Sequence, residues 1–306
     1  MLQKLLIRLP HPFANGLPAA GECGTMRVAI QGERGSFSHE AASQFFPSLD
    51  KLLPCAVSSE VFSALVEGRV DAAVVPIENS LAGSVLEHYD LLLETPVRIH
   101  AERLLRIRHQ FIVAPGVRLE EVREVYSHPV ALAQCRRFLE GHAGMRAMPF
   151  YDTAGSAAHA VRSGAPVAGI ASSLAAAEYG GAILVPNIED NPANYTRFLL
   201  LYAADAPAEI LPLPTASPNK VSLAFSVPNR AGSLVEALQI FARHRLNMTR
   251  LESRPVPGSP WEYVFYADYS LDSSDAADAA LQELQVSCGF VKELGRYPAA
   301  SPIQAG

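Results

Sequence analysis

Cysteine is scarce: four in 306 residues, at Cys23, Cys55, Cys135 and Cys288, with no pair at the spacing of a zinc ribbon or a dithiol redox site. A chain this long does not depend on disulfide staples, so reduced and mostly buried thiols are expected. Positive charge is also short, with 25 Lys and Arg against 31 Asp and Glu for a net charge of −6. A general nucleic-acid binder needs the opposite sign, because phosphate neutralisation supplies most of its affinity. An anionic ligand would have to meet positive charge gathered locally. No stretch approaches the ~18–20 uninterrupted apolar residues of a membrane span. What is present is a core: 13 Phe, 10 Tyr and a 49% hydrophobic composition exclude a disordered or fibrous chain. At ~150 residues per domain, the length suggests two domains.

Residues 1–25 have no long apolar region, and Pro10 and Pro12 cut them early. They make a poor signal peptide and read as an extension outside the fold, so a cytoplasmic chain is expected. From Met26 onward, short apolar runs alternate with helical periods. Strands are predicted at 27–31, 72–75, 110–113, 122–126, 167–171, 182–185 and 197–202. Val85, Leu86, Tyr89, Leu92 and Leu93 place one apolar stripe on a helix, and Ala131, Leu132, Cys135, Phe138 and Leu139 repeat the spacing. Alternation of this kind predicts parallel sheets covered by helices.

Residues 203–219 carry Pro207, Pro212, Pro214 and Pro218, which reads as a linker. Beyond it the order is strand 220–227, helix 231–245, strands 247–254 and 262–269, helix 274–286 and strand 290–296. That is the β-α-β-β-α-β order of a ferredoxin-like unit.

Several strand ends carry polar clusters. Gly32 to Ala42 opens with two glycines and two serines and can present backbone N–H groups to an anion, or simply cap a helix with Ser36 or Ser38. It is not a Walker loop, since no Lys-Ser/Thr follows the glycine. Pro76-Ile77-Glu78-Asn79-Ser80 sits where open α/β sheets bind ligands, although Asn79 and Ser80 are also good helix caps. Ser127-His128-Pro129 leads into a helix containing Gln134, and Asp152-Thr153-Ala154-Gly155 starts another. Asn194-Tyr195-Thr196-Arg197-Phe198 opens the last strand before the linker, offering a hydroxyl beside a guanidinium that can clamp a carboxylate.

Taken in order, these motifs resemble prephenate dehydratase over residues 26–202, and Gly232-Ser233-Leu234-Val235 with Glu252-Ser253-Arg254-Pro255 resemble the phenylalanine-binding motifs of its regulatory ACT domain. The chain departs from the family pattern at Gln31-Gly32-Glu33, Ser36, Val130 and Ser233, of which only Val130 replaces a polar group, leaving Gln134 as the functional amide. No helical chorismate mutase segment precedes Met26, so the resemblance is to the monofunctional form.

The resemblance implies a bilobal α/β catalytic domain, like the periplasmic binding proteins of type II, followed by an α+β ACT domain. The boundaries it implies are 26–204 for the catalytic domain (lobe one 26–100 and 186–204, lobe two 101–185), linker 205–219, ACT domain 220–298 and tail 299–306. It implies decarboxylative dehydration of prephenate without metal or organic cofactor, because electrons flow directly to the leaving group. Thr196 is the implied general acid. Ser36, Asn79, Ser80, Ser127, Gln134, Thr153, Arg197 and Phe198 are implied to bind the substrate. Glu78 fits poorly beside a dianion unless it bonds elsewhere. L-phenylalanine is the implied effector, held by Gly232, Ser233, Leu234, Val235, Asn247, Glu252 and Ser253 between the subunits of a homodimer or dimer of dimers, with the linker as the mechanical route. Arogenate is the alternative substrate, since it differs by one amino group. A non-catalytic solute-binding protein, or an amino-acid sensor, is the alternative of a different class.

Overall fold

A computed structural model describes residues 26–207, 216–256 and 262–300. The expected N-terminal extension, linker residues 208–215 and tail residues 301–306 lie outside the described residues. Among the described residues no helix is long and apolar enough to cross a membrane.

The chain begins with β1 (Arg27–Gln31), α1 (Phe37–Phe45), β2 (Lys51–Cys55), α2 (Ser58–Val66), β3 (Ala72–Asn79), β4 (Gly83–Ser84), α3 (Leu86–Glu94) and β5 (Val97–Arg106). It continues through β6 (Gln110–Val113), β7 (Glu124–Ser127), α4 (Pro129–Gln134), α5 (Arg136–Glu140), β8 (Arg146–Pro149), α6 (Thr153–Arg162), β9 (Val167–Ala171), α7 (Ser173–Tyr179), β10 (Ala182–Val185) and β11 (Tyr195–Ala203). One sheet has the order β2-β1-β3-β11-β5, with β4 paired to β3; the other has the order β10-β6-β9-β7-β8. The apolar runs Val28–Ile30, Ala72–Val75 and Phe111–Val113 are wholly buried, which is why they read as strands.

Two expectations need correction. The sheets are not all parallel: β1 runs parallel to β2 and β3, and β7 to β8 and β9, but β6 is antiparallel to both β9 and β10. Strand–helix alternation shows that the chain crosses over between strands, but not which strand each one lands beside. The helix predicted across 131–139 breaks at Cys135. Asp190, far along the chain, is the cause: its N–H donates to the Gln134 carbonyl (2.7 Å) and its carboxylate accepts from Arg137 N–H (3.0 Å). Groups that would otherwise bond along one helix are diverted.

Packing divides the described chain into two compact units, residues 26–88 with 103–200, and residues 89–102 with 201–300. The second contains β12 (Lys220–Ser226), α8 (Ser233–Arg243), β13 (Met248–Pro255), β14 (Tyr263–Ser270), α9 (Ser274–Ser287) and β15 (Phe290–Tyr297). Its antiparallel sheet has the order β13-β14-β12-β15. Leu223, Phe225, Ala267 and Tyr269 pack under α8 and α9 through Ala237, Phe241, Ala277 and Leu284. Tyr266 and Asp268 alternate with these on β14 and take other partners. Tyr266 donates to the Tyr89 carbonyl (3.1 Å), and the Arg250 guanidinium lies 4.4 Å from the centre of the Tyr89 ring. Arg254 pairs with Asp90, and Lys220 with Glu102 at 3.0 Å. Lys292 on β15 donates to the carbonyls of Leu92 (2.9 Å), Leu93 (2.8 Å) and Thr95 (2.9 Å), capping the C-terminal end of α3. Burial, with Arg98 nearby, pushes this ammonium down to about 8.

Candidate active site

The site lies in the first unit, where the end of β3, the end of α4 and the start of β11 meet. Asn79 is its hinge. Its carbonyl oxygen accepts from the backbone N–H groups of Leu81 (3.0 Å) and Ala82 (2.8 Å). A backbone N–H can only donate, so the orientation of this amide is fixed. The Asn79 amide nitrogen therefore donates, to Asn194 Oδ1 (2.8 Å), Thr196 Oγ1 (2.9 Å) and the Tyr195 carbonyl (3.2 Å).

The polarity then propagates. Asn194, having presented its oxygen to Asn79, presents its nitrogen to Gln134 Oε1 at 2.9 Å. Gln134 turns its own nitrogen back toward Asn79 Oδ1, at 3.4 Å. The same Gln134 oxygen lies 2.9 Å from His109 Nε2, which must therefore carry a hydrogen. Burial holds this imidazole below its ordinary pKa, against the opposing effects of the Gln134 bond and of Glu189, so the ring is neutral. Thr196 is 8% exposed, and its oxygen accepts from Asn79. Among the described residues no acceptor takes its own hydrogen, which is left to be given to something else. The arrangement makes one hydroxyl a directed donor.

The other expected substrate residues fall into different places. Ser80 is used on the backbone: its hydroxyl donates to the Ala193 carbonyl (3.0 Å) and accepts from Tyr195 N–H (2.9 Å), pinning the segment that carries Asn194 and Thr196. Ser127 is fully buried and donates to the Ile170 carbonyl at 2.6 Å, tying β7 to β9. Ser36 caps α1, accepting from His39 N–H at 3.3 Å. Thr153 is the first residue of α6, behind the N-cap Asp152, whose carboxylate accepts from Gly155 N–H at 2.8 Å. Burial raises the Asp152 carboxyl above the usual carboxylate range, opposed by its bonds from Gly155 and Ala154. Asp152 also crowds the Gly32 loop: a Cβ at Gly32, where φ is +94°, would lie 2.8 Å from Asp152 Oδ2.

Arg197 follows Thr196 along β11, so its side chain leaves the other side of the strand. There it lies 4.0 Å from Glu78 Oε2, a cationic partner for the carboxylate that fitted poorly beside a dianion. Phe198 is 2% exposed and belongs to the core. The bonded cluster thus unites Asn79, Gln134 and Thr196, and joins to them Asn194, expected only as the opening residue of its motif, and His109, which belongs to no expected motif. Asn194 had a legible signal, two residues before Thr196 and hence on its side of the strand. His109 had none.

In the second unit, Gly232 is the N-cap of α8 with φ +87°. Ser233 donates its hydroxyl to the Arg230 carbonyl (2.7 Å), Leu234 packs on the core, and Val235 stands 57% exposed. Asn247 accepts at its carbonyl from Ser270 N–H (2.9 Å). Glu252 accepts from Arg250 at 3.1 Å, and Ser253 is on the exposed row of β13.

Against known proteins, a family profile described as prephenate dehydratase matches residues 28–206, and an ACT domain profile matches residues 221–284. Arogenate dehydratase 2 of Petunia hybrida is 38% identical over 96% of this chain and 78% of its own length. A solved prephenate dehydratase of Arthrobacter aurescens in complex with L-Phe is 31% identical, with a TM-score of 0.78 over 89% of each chain. The structure of GqqA, a novel type of quorum quenching acylase, is 36% identical, with a TM-score of 0.79 over 91% of this chain and 99% of that one.

Proposed function

Since this chain belongs to the prephenate dehydratase family and carries an ACT domain, we propose that it converts prephenate to phenylpyruvate, CO2 and water, with Thr196 as the proton donor and L-phenylalanine as its effector. The ring carboxylate leaves as CO2, and the electron pair of its C–C bond enters the ring. The C–O pair departs with the ring hydroxyl, which takes one proton to become water. One proton is consumed per turnover, and Thr196 regains its own from solvent after the product leaves. Aromatisation drives the step, so the protein's tasks are to hold the substrate and to supply the proton at the departing oxygen.

The observation that supports this most is the fixed polarity of the Asn79–Thr196 bond, which turns the Thr196 hydrogen outward. A threonine hydroxyl is a weak acid, and a preorganised donor in a nearly dry site compensates for that weakness. Asn79, braced by Gln134, orients the Thr196 hydroxyl, while Ser80 acts by holding the Thr196 segment. Arogenate undergoes the same elimination and would give phenylalanine directly. Turnover of the purified chain with prephenate and with arogenate, followed by ultraviolet absorbance and amino-acid analysis, tests the reading. Activity on neither substrate would reject it.

The acylase relative suggests hydrolysis instead, which needs an accessible nucleophile beside a base. A Ser–His pair exists, Ser58–His88 at 2.9 Å, but the two residues are 1% and 0% exposed. Ser58 is also engaged by Glu87 at 3.0 Å.

For regulation, the start of α8 at Gly232 offers N–H groups and a positive dipole end to the carboxylate of phenylalanine. The edge strand β13, with Thr249, Leu251 and Ser253 on its exposed row, is the edge we assign to a second copy of the chain. Effector binding inhibits only by favouring a state of the catalytic unit that turns over poorly.

A further inference from the structure

We propose that His109 is a positioning residue for this reaction: its Nε2–H grips the Gln134 carbonyl oxygen and so keeps the Gln134–Asn194–Asn79 amides aligned on Thr196. The inference rests on the dehydratase reading above, but it assigns a role to a residue that would not touch substrate.

The ring is built in from several directions. His109 is 2% exposed. Its backbone N–H donates to Glu189 Oε2 (2.9 Å), and its backbone carbonyl accepts from Ile188 N–H (2.9 Å). Phe37 meets the imidazole edge-on, with centroids 5.5 Å apart and planes at 83°. Only one tautomer fits this cage. With the hydrogen on Nδ1, two lone pairs would face each other across the 2.9 Å between Nε2 and Gln134 Oε1. Turning the Gln134 amide over does not relieve the conflict, because its NH2 would then face the NH2 of Asn194, which is fixed by Asn79.

With Nε2 protonated, Nδ1 is a bare lone pair, and it is buried without a partner among the described residues. An unsatisfied buried acceptor is a cost that packing alone does not explain, since Leu or Phe would fill such a place without it. The return is at the opposite ring nitrogen. Without the His109 donor, Gln134 Oε1 keeps Asn194 alone among the described residues, and the Gln134 amide, pinned at one point instead of two, can swing about that bond. Asn79 then loses the 3.4 Å bond that braces its oxygen from the α4 side.

The test uses the full chain as His109→Leu, His109→Gln, Gln134→Leu and the His109→Leu/Gln134→Leu double variant. Each is assayed for kcat and KM with whichever substrate the wild type turns over, alongside its melting temperature. His109→Leu is expected to lower kcat on the order of 10- to 100-fold with KM within about twofold. His109→Gln, which can place an amide N–H where Nε2 stood, restores kcat to within about threefold of wild type. The double variant falls no further than Gln134→Leu alone, because His109 acts through Gln134. A wild-type kcat in His109→Leu, or losses that multiply in the double variant, overturns the proposal. An independent reading comes from the wild type: nitrogen NMR of the His109 ring should show a neutral Nε2–H tautomer, and an Nδ1–H tautomer overturns the proposal whatever the variants do. A wild type that turns over neither prephenate nor arogenate rejects the dehydratase reading itself, an outcome distinct from an active wild type with an indifferent His109.

Discussion

The side-chain nitrogen of Asn79 stands 2.9 Å from the hydroxyl oxygen of Thr196, and the Asn79 oxygen is already held by two backbone N–H groups. Asparagine therefore decides what threonine can do: accept on one side, donate on the other. Thr196→Val keeps the shape and removes the donor. Its kcat should fall on the order of 10²-fold or more, with a melting temperature near that of the wild type. Thr196→Ser should retain most activity. A valine variant with near-normal kcat would remove Thr196 as the acid.

Gly35 is the tightest point of the loop ahead of α1. Its φ is +82°, and a Cβ there would lie 2.7 Å from Ala175 Cα on α7. Its carbonyl accepts from Ser172 at 2.6 Å, so the loop cannot back away. Gly35→Ala should cost roughly 1–3 kcal/mol from overpacking alone. Gly144→Ala, with nothing within 4 Å, is the control and should be near neutral. Urea midpoints that match for the two variants would contradict this account.

Three histidines set the acid limb of stability. His39, His88 and His109 are each lowered from their ordinary pKa, burial being the largest cause in every case. In the unfolded chain they titrate near ~6.5. Below that pH the unfolded state takes up protons that the folded state refuses, so stability rises with pH through this window and is lost as pH falls under it. Asp152 and Glu40, both raised by burial, work in the opposite sense in the carboxylate range. The urea midpoint should hold near pH 7 and fall from about pH 6.5 downward, less steeply in His88→Asn, which keeps a donor for the Pro76 carbonyl. A flat midpoint between pH 7 and pH 5 would show that these rings bear no such cost.

The regulatory assignment turns on Gly232. A β-branched residue is strained at φ +87° and would crowd the N–H groups opening α8. Calorimetry should show L-phenylalanine binding to the wild type, and binding at least tenfold weaker or absent in Gly232→Val. Equal binding to both, or binding by a chain ending at Tyr202, would place the effector elsewhere.

Much of the fold was legible because its strands are apolar runs buried on both faces, as at 28–30, 111–113 and 167–171. β2 escaped notice because Pro54 argues against a strand, yet β2 is an edge, where proline is tolerated. β5 was missed because its alternation, with Val97 and Ile99 buried around an exposed Arg98, dissolves into mixed charge by Arg103. In the site, Asn79, Gln134 and Thr196 were found through a resemblance of ordered motifs. His109 belongs to no spacing, and its importance comes from a bond to Gln134 across 25 positions of sequence. The break at Cys135, imposed by Asp190, was hidden for the same reason.

Lys292 binds the carbonyls that end α3, and the two partners are separated by up to 200 positions in the chain. A ribosome adding ~5–20 residues per second needs about 10–40 seconds to cover that gap. During that interval Tyr89, Leu92, Val97 and Ile99, all buried in the finished protein, have emerged before the strand that completes their surroundings. The residues of the candidate site are made early, but the end of α3 is secured only when β15 leaves the exit tunnel. A message truncated near its 3′ end would therefore release a chain with the candidate site's residues present and a sticky, uncapped helix end, and clearance by proteases should track that exposed end rather than any loss of the site.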